Sequence, residues 1–183
     1  MPVHWTNELS TQLDFYWEHS LRPRLAGLTD EEYFWEPVPG SWSVRQTESG
    51  AYTLDWSWPA PEPPPFTTIA WRLAHITGPV LGFRASNHFG DGSLTLETIR
   101  WPGRAADAID LLEQSYTAWR AGVQALDADG LARPCGPVEG PYAEHSMATL
   151  ILHINREVIH HGAEVAVLRD LYRETRSGQR AIP

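Results

Sequence analysis

The sequence predicts an all-α protein: a bundle of four long helices with a long Trp- and Pro-rich loop between helices one and two. Apolar residues recur at helical spacing in four segments, and no segment shows convincing strand alternation. The 183 residues are 42% hydrophobic and 20% charged, a composition typical of a packed globule. We therefore expect a single domain over residues 1–183, built around one core.

Helix one is predicted over residues 5–26. Thr6 is placed to cap its N-terminus, and Pro23 should limit or kink its last turn because proline has no backbone N–H to donate. The residues at helical spacing in this segment are Trp5, Leu9, Leu13, Tyr16, Trp17, Ser20 and Leu21.

Residues 27–66 contain seven prolines and four tryptophans, without a sustained period of either kind. Because tryptophans need apolar surface, we expect an ordered loop wrapped over the bundle, and long ordered loops often serve as functional lids. Some of these rings could stack on a flat or apolar substrate, although most should simply anchor the loop. The four tryptophans are Trp35, Trp42, Trp56 and Trp58.

The other three helices have recognisable starts and ends. Helix two is expected at "TTIAWRLAHITGPVLGFRASNHF", capped by Thr67 or Thr68. Helix three follows "WPGRAAD" and ends at "DADG". The last helix should start between Glu144 and Ser146 and run to about Arg173.

Composition excludes several classes of function. A net charge of −9 without a basic stripe argues against nucleic acid as a partner. All fourteen basic residues are arginine, so lysine Schiff-base chemistry and a lysine-bearing phosphate loop are excluded. The single Cys135 cannot form an internal disulfide and is expected to be incidental. We expect no membrane span, and a cytoplasmic location because the N-terminus does not resemble a signal peptide.

The stretch "HINREVIHHGAEV" places three histidines and two glutamates on the last helix. At about 100° per residue, His161 lies inside the buried stripe, and Glu157 lies roughly 60° to one side of its centre. The two are four residues apart, so their side chains neighbour each other, whereas His153 and His160 lie on the flank. The buried direction is defined by Met147, Ile154, Val158 and Val165.

A buried carboxylate beside a buried imidazole is costly unless the two are paired or bind a cation. One interpretation is a neutral Glu–His hydrogen bond inside the bundle. The other is two ligands of a metal site whose third ligand comes from another helix. His153 or His160 could then shuttle protons or donate to Glu157, although each is more typical of a surface histidine.

Helix two offers a third ligand in His75. By itself the pattern favours a core histidine with close helix packing, but together with Glu157 and His161 it favours a metal ligand. Pro79 cannot donate to the carbonyl of His75, so a kink or helix end is expected one turn later. The face of His75 otherwise carries an aromatic residue, expected beside the metal, and small residues that leave room for a partner helix or a ligand: Trp71, Gly78, Gly82 and Ser86.

Three segments together resemble the DinB-like metal-binding bundles, whose relatives include mycothiol-dependent maleylpyruvate isomerase and thiol S-transferases. "RPRLAGLTDEEYFWEPVPGSWSV" resembles the segment after helix one, "IAWRLAHI" the helix-two histidine motif, and "HINREVIHHGAEVAVLRDLY" the last helix. The resemblance implies one divalent metal ion held by His75, Glu157 and His161. Many members have histidine in place of Glu157, and a glutamate there resembles the isomerase subgroup. That isomerase has a further C-terminal domain, so its activity is not expected to transfer intact.

The resemblance implies a metal-dependent transferase that adds a low-molecular-weight thiol to an electrophilic small molecule, without a side-chain nucleophile. The expected cofactor is zinc, with nickel, iron or manganese as alternatives. The expected partners are the small-molecule substrate and the thiol, and the small-residue helix faces are compatible with a homodimer. Three alternatives stay open: a metal-dependent hydrolase of a small substrate, a non-catalytic metal-binding or stress-related bundle, and a metal-free bundle whose polar residues merely pair.

Overall fold

The computed structural model describes residues 3–180, with side chains through residue 176. The described chain is mostly helical, as predicted, and it contains one small sheet. No helix within residues 3–180 is long and apolar enough to cross a membrane. The helices are α1 (Trp5–Tyr16), α2 (Arg22–Leu25), α3 (Asp30–Tyr33), α4 (Ile69–His75), α5 (Phe83–Phe89), α6 (Ala105–Gln124), α7 (Ala128–Ala132) and α8 (Met147–Arg180).

The first helical stretch joins α1 to α2 through a π-helical segment, Trp17–Leu21. It begins at Trp5, so Thr6 lies inside the first turn and the predicted cap is wrong. Thr6 Oγ1 instead donates to the Leu126 carbonyl at 2.9 Å. Pro23 lies in α2, which ends two residues later, in agreement with the limit expected from proline.

The second helical stretch joins α4 to α5 through another π-helical segment, Ile76–Gly82. Thr68 caps α4, as predicted, because its Oγ1 accepts from the Trp71 backbone N–H at 3.2 Å. Pro79 does not end the helix. Pro79 cannot donate a backbone hydrogen bond, and the chain around it is π-helical instead of α-helical. Single π-helical turns of this kind are frequent at functional sites.

α6 and α8 begin close to their predicted starts. Ser146 Oγ accepts from the Thr149 backbone N–H at 3.2 Å and so satisfies one free donor at the start of α8. α8 continues beyond the predicted end near Arg173 to Arg180. Between α6 and α8 lie α7 and a 3₁₀ segment, Pro137–Tyr142.

The segment between the first two helical stretches is not a loop throughout. It contains α3 and two strands, β1 (Val44–Gln46) and β2 (Tyr52–Leu54), which pair antiparallel with Val44 opposite Leu54. The expectation of no strands is therefore wrong here. A three-residue strand is too short to show alternation above the background of a Pro-rich segment.

The tryptophans of this segment divide into two pairs. Trp35 packs edge-on against Tyr172 of α8 with ring centroids 5.5 Å apart, and Trp42 lies 6.1 Å from Trp71 of α4. These two anchor the segment to the helices, as expected. The remaining pair departs from that expectation, because Trp56 and Trp58 are 47% and 86% exposed.

The core lies between the long helices, where α4 and its π-helical extension pack against α6 and α8. α1 packs against α6 and α8 on another side. The packing of α4 on α8 brings their facing polar residues into one place. Among the largest fully buried side chains are Trp119, Leu73, Ile76, Ile151, Ile154 and Val158.

Candidate metal centre

The three predicted ligands come together where α4 packs against α8. One potential ligand atom from each of His75, Glu157 and His161 lies within 4.8 Å of the other two. His75 ends α4, whereas Glu157 and His161 are one turn apart on α8. A side chain from one helix thus meets an i, i+4 pair from another, an arrangement typical of metal sites in helical bundles.

Glu157 and His161 face each other directly. Glu157 Oε2 lies 3.3 Å from His161 Nε2. The His161 side chain is 11% exposed and that of Glu157 is 24% exposed. The pair is therefore largely removed from water while one edge of the carboxylate remains reachable by solvent.

His75 is held in a fixed orientation by aromatic neighbours. Its ring stacks on Trp71, with centroids 5.1 Å apart and planes 8° apart, and meets the His161 ring edge-on at 4.7 Å. Its Nδ1 is buried and has no hydrogen-bond partner among the described residues. Burial, reinforced by the nearby His161 and Arg72, lowers the pKa of His75 to about 3. The imidazole is thus neutral at physiological pH, which is the form that binds metals.

Two further side chains contact His161, and the sequence analysis did not single them out. His161 Nδ1 lies 2.6 Å from Glu164 Oε2, and Arg72 Nε lies 3.1 Å from the same carboxylate oxygen. Only Glu164 could have been found by its spacing, because it follows His161 by three residues on the same helix, whereas Arg72 reaches this pair from α4. Arg72 is also placed over the Trp71 ring at 5.2 Å.

The short Glu164 contact favours one position for the His161 proton. Two groups compete for Nδ1 of His161: the Glu164 carboxylate at 2.6 Å can only accept, whereas Arg72 Nη1 at 3.2 Å can only donate. The shorter, charge-assisted contact with Glu164 favours a proton on Nδ1. In the neutral imidazole, Nε2 then carries the lone pair, and this atom lies 3.3 Å from Glu157 Oε2. Two acceptors at this distance need a cation or an additional proton between them.

A second group of potential ligands shares His161. It consists of His160, His161 and Glu164, whose ligand atoms also lie within 4.8 Å of one another. His160 has a 64% exposed side chain and lies 3.5 Å from Glu164 Oε1. Glu164 already contacts Nδ1 of His161 and forms an ion pair with Arg72. The charge of its carboxylate is therefore already partly neutralised by protein, so the group of His75, Glu157 and His161 is the better candidate for a metal ion.

The flanking histidines do not donate to Glu157. His153 Nδ1 lies 3.6 Å from Glu157 Oε1, beyond hydrogen-bond distance, and instead contacts Arg156 Nη2 at 2.7 Å. His160 points toward solvent beside Glu164. Donation to Glu157, which the sequence makes less typical than a surface position for these histidines, is therefore absent from these contacts.

The small-residue face of helix two is filled by protein. A Cβ added at Gly78 would come within 2.8 Å of the Trp101 ring. One added at Gly82 would lie 2.6 Å from the Thr77 carbonyl oxygen and 3.1 Å from Ser115 Oγ of α6. Of the two alternatives, close packing with a partner element is the correct one at these positions.

Cys135 is not placed for nucleophilic chemistry. It is buried, and its Sγ lies 3.4 Å from the Ser146 carbonyl oxygen. Burial, together with the Glu139 carboxylate, raises the pKa of the thiol. Because the thiolate is the reactive form, this environment supports the expectation that Cys135 is incidental.

The residues present fit a divalent metal ion. The set offers two imidazoles and one carboxylate, a ligand combination used by zinc and by other divalent transition metals. The unpartnered Nδ1 of His75 and the opposed acceptors of Glu157 and His161 are both features that a bound cation would relieve.

The comparison with protein families agrees with this arrangement. A family model described as the DinB superfamily matches residues 53–165, which include His75, Glu157 and His161. Neither the curated proteins nor the solved structures contain a significant match. Since the family match covers more than half of the sequence, the chain belongs to the DinB superfamily.

Proposed function

We propose that His75, Glu157 and His161 hold one divalent metal ion, most suitably zinc, in a DinB-type four-helix bundle. The observation that carries the proposal is the pair of acceptors, Glu157 Oε2 and His161 Nε2, which face each other at 3.3 Å while Nδ1 of His161 is committed to Glu164. DinB superfamily members bind divalent metals in general, which supports the same conclusion. Nickel, iron and manganese accept this ligand set as well.

We further propose that the protein is an enzyme that transfers a low-molecular-weight thiol to an electrophilic small molecule. Three protein ligands leave a divalent ion with open positions, at which a thiol or a water would lose its proton more readily. The chain's own residues prepare the site for this role. Trp71 stacks on the ring of His75, and the side chain of Glu157 is 24% exposed, so solvent reaches the site.

Metal binding can be tested first by elemental analysis of protein purified without added metal and without a polyhistidine tag. We expect about one divalent ion per chain in the wild type and a loss of that ion in His161→Ala. His153→Ala is a matched control, because it removes a nearby histidine of the same helix that lies outside the proposed ligand set. Equal metal content in the wild type and His161→Ala would contradict the proposal and favour a metal-free bundle with paired polar residues.

Turnover can be tested by incubating the metal-loaded protein with a panel of electrophiles, with and without thiol. Product formation that requires thiol and is lost in His75→Ala supports the transferase. Turnover that is indifferent to thiol would favour the alternative, a metal-dependent hydrolase. If His75→Ala lowers the melting temperature of the metal-loaded protein and no thiol perturbs the metal spectrum, the ion instead braces two helices without catalysis.

A further inference from the structure

We propose that Glu164, clamped by Arg72, is a positioning residue that holds His161 in the tautomer and orientation required of a metal ligand. The inference rests on the metal site proposed above. It is carried by two contacts on one carboxylate oxygen: His161 Nδ1 at 2.6 Å and Arg72 Nε at 3.1 Å from Glu164 Oε2. In many metal sites, the nitrogen of a histidine that does not bind the metal donates a hydrogen bond to a carboxylate, which fixes the orientation of the ring.

The Glu164 contact favours one of the two tautomers that a neutral imidazole can adopt. A free neutral histidine exchanges its proton between Nδ1 and Nε2, and only the nitrogen without the proton can bind a metal. Because Glu164 accepts from Nδ1, the lone pair of His161 is kept on Nε2, the atom that faces Glu157. The hydrogen bond also fixes the ring about its last torsion, so that the lone pair does not turn away from the site.

Arg72 pairs with the carboxylate from the other helix by charge, because its Nε lies 3.1 Å from Glu164 Oε2 but has no hydrogen-bond partner among the described residues. Its side chain is 20% exposed, against 34% for Glu164, so the ion pair is partly shielded from water. The Arg72 guanidinium lies over Trp71, which fixes its approach. Its Nη1 lies 3.2 Å from His161 Nδ1 and can only donate there, so this contact competes with the shorter Glu164 contact for the same nitrogen. α4 thus contributes both a ligand and the clamp.

The alternative role for Glu164 is that of a direct ligand in the group with His160 and His161. That group would need Nδ1 of His161 to lose its proton to a metal ion, and it would need Glu164 to share its oxygen with both the ion and Arg72. It also depends on His160, whose side chain is 64% exposed. Removal of His160 therefore separates the two roles.

The test measures zinc and cobalt affinity by competition with a chelator, together with the cobalt absorption spectrum. We expect Glu164→Ala to weaken affinity about 10- to 100-fold with an altered cobalt spectrum. Glu164→Gln, which can still accept from Nδ1, should lose less. His160→Ala and Glu174→Ala should match the wild type, the latter because its side chain is exposed and lies on the same helix.

A second measurement does not depend on metal. Ring ¹⁵N chemical shifts of His161 in the metal-free protein should report a proton on Nδ1 in the wild type and in Glu164→Gln, and a shift toward the Nε2 tautomer in Glu164→Ala. Unchanged affinity and unchanged tautomer in Glu164→Ala would overturn the proposal, as would a loss in His160→Ala equal to that in Glu164→Ala. If the wild type binds no metal, the proposed function fails, whereas the tautomer measurement still decides whether Glu164 orients His161.

Discussion

The ion pair between Arg169 of α8 and Glu32 of α3 allows a quantitative prediction, because Arg169 has other hydrogen-bond partners and the Glu32 carboxylate has none among the described side chains. Arg169 Nε donates to Glu32 Oε1 at 2.7 Å and Arg169 Nη2 donates to Glu32 Oε2 at 3.0 Å. Their side chains are 15% and 8% exposed. Arg169 Nη1 also donates to the backbone carbonyls of Arg24 and Ala26, whereas the Glu32 carboxylate has no other hydrogen-bond partner among the described side chains.

Arg169→Met should therefore destabilise the protein more than Glu32→Gln. The first change leaves a buried carboxylate without a partner, which costs about 3 kcal/mol, the lower end of the range for broken buried pairs because some solvent reaches this site. The second leaves Arg169 with its two carbonyls and an amide oxygen, a loss of about 1 to 2 kcal/mol. At about 2 to 4 °C per kcal/mol for a chain of this length, Arg169→Met should lower Tm by roughly 6 to 12 °C.

The assay is urea unfolding followed by circular dichroism in the presence of EDTA, so that metal binding does not contribute. Arg173→Met is the matched control, because Arg173 lies one turn further along α8 with a 60% exposed side chain, where ion pairs contribute less than about 1 kcal/mol. Adding Glu32→Leu to Arg169→Met should recover part of the loss, since no buried charge is then left unpaired. Equal destabilisation by Arg169→Met and Glu32→Gln would refute the reasoning.

Three other substitutions test a close packing contact, a helix cap and a buried ion pair. Gly82→Ala should lower the free energy of unfolding by about 1 to 3 kcal/mol in thermal melts, since its Cβ would lie 2.6 Å from the Thr77 carbonyl oxygen; an unchanged Tm would contradict this contact. Thr68→Ala should cost about 1 to 2 kcal/mol through loss of the α4 cap, whereas Thr68→Ser should retain most of the stability. Burial opposes ionisation of Glu139, but the hydrogen bond from His88 and a neighbouring guanidinium hold its pKa below the usual value. This carboxylate therefore contributes stability above about pH 4.5 that is lost as the pH falls further, and the difference in urea midpoint between wild type and Glu139→Gln should shrink below that pH.

Much of the helical framework can be predicted from the sequence because its signals are local. The cap at Thr68 and the four apolar stripes depend on residues within a few positions of one another. The errors arose where local signals are short or compete. The three-residue strands are too brief to show a period, and Thr6 resembles a cap although the helix begins one residue before it.

The candidate site shows the same division. The proximity of Glu157 and His161 follows from helix periodicity alone, because they are four residues apart. The same periodicity places Glu164, three residues after His161, beside that histidine. The clamp by Arg72 could not be inferred in this way, because it joins two helices. Its distance from Glu164 depends on how α4 and α8 cross and on the rotation of each helix about its axis.

By itself, the sequence determined which residues share a helix face, which ends are capped and which chemical groups an inward-facing stripe carries. Only the tertiary structure decided that His75 meets the α8 pair and that Trp101 and Ser115 cover the small-residue face. It also decided that Nδ1 of His161 lies beside Glu164 and Nε2 beside Glu157. The physical reason is that helical spacing is set by backbone geometry within one segment, whereas contacts between helices are set by side-chain packing over the whole core.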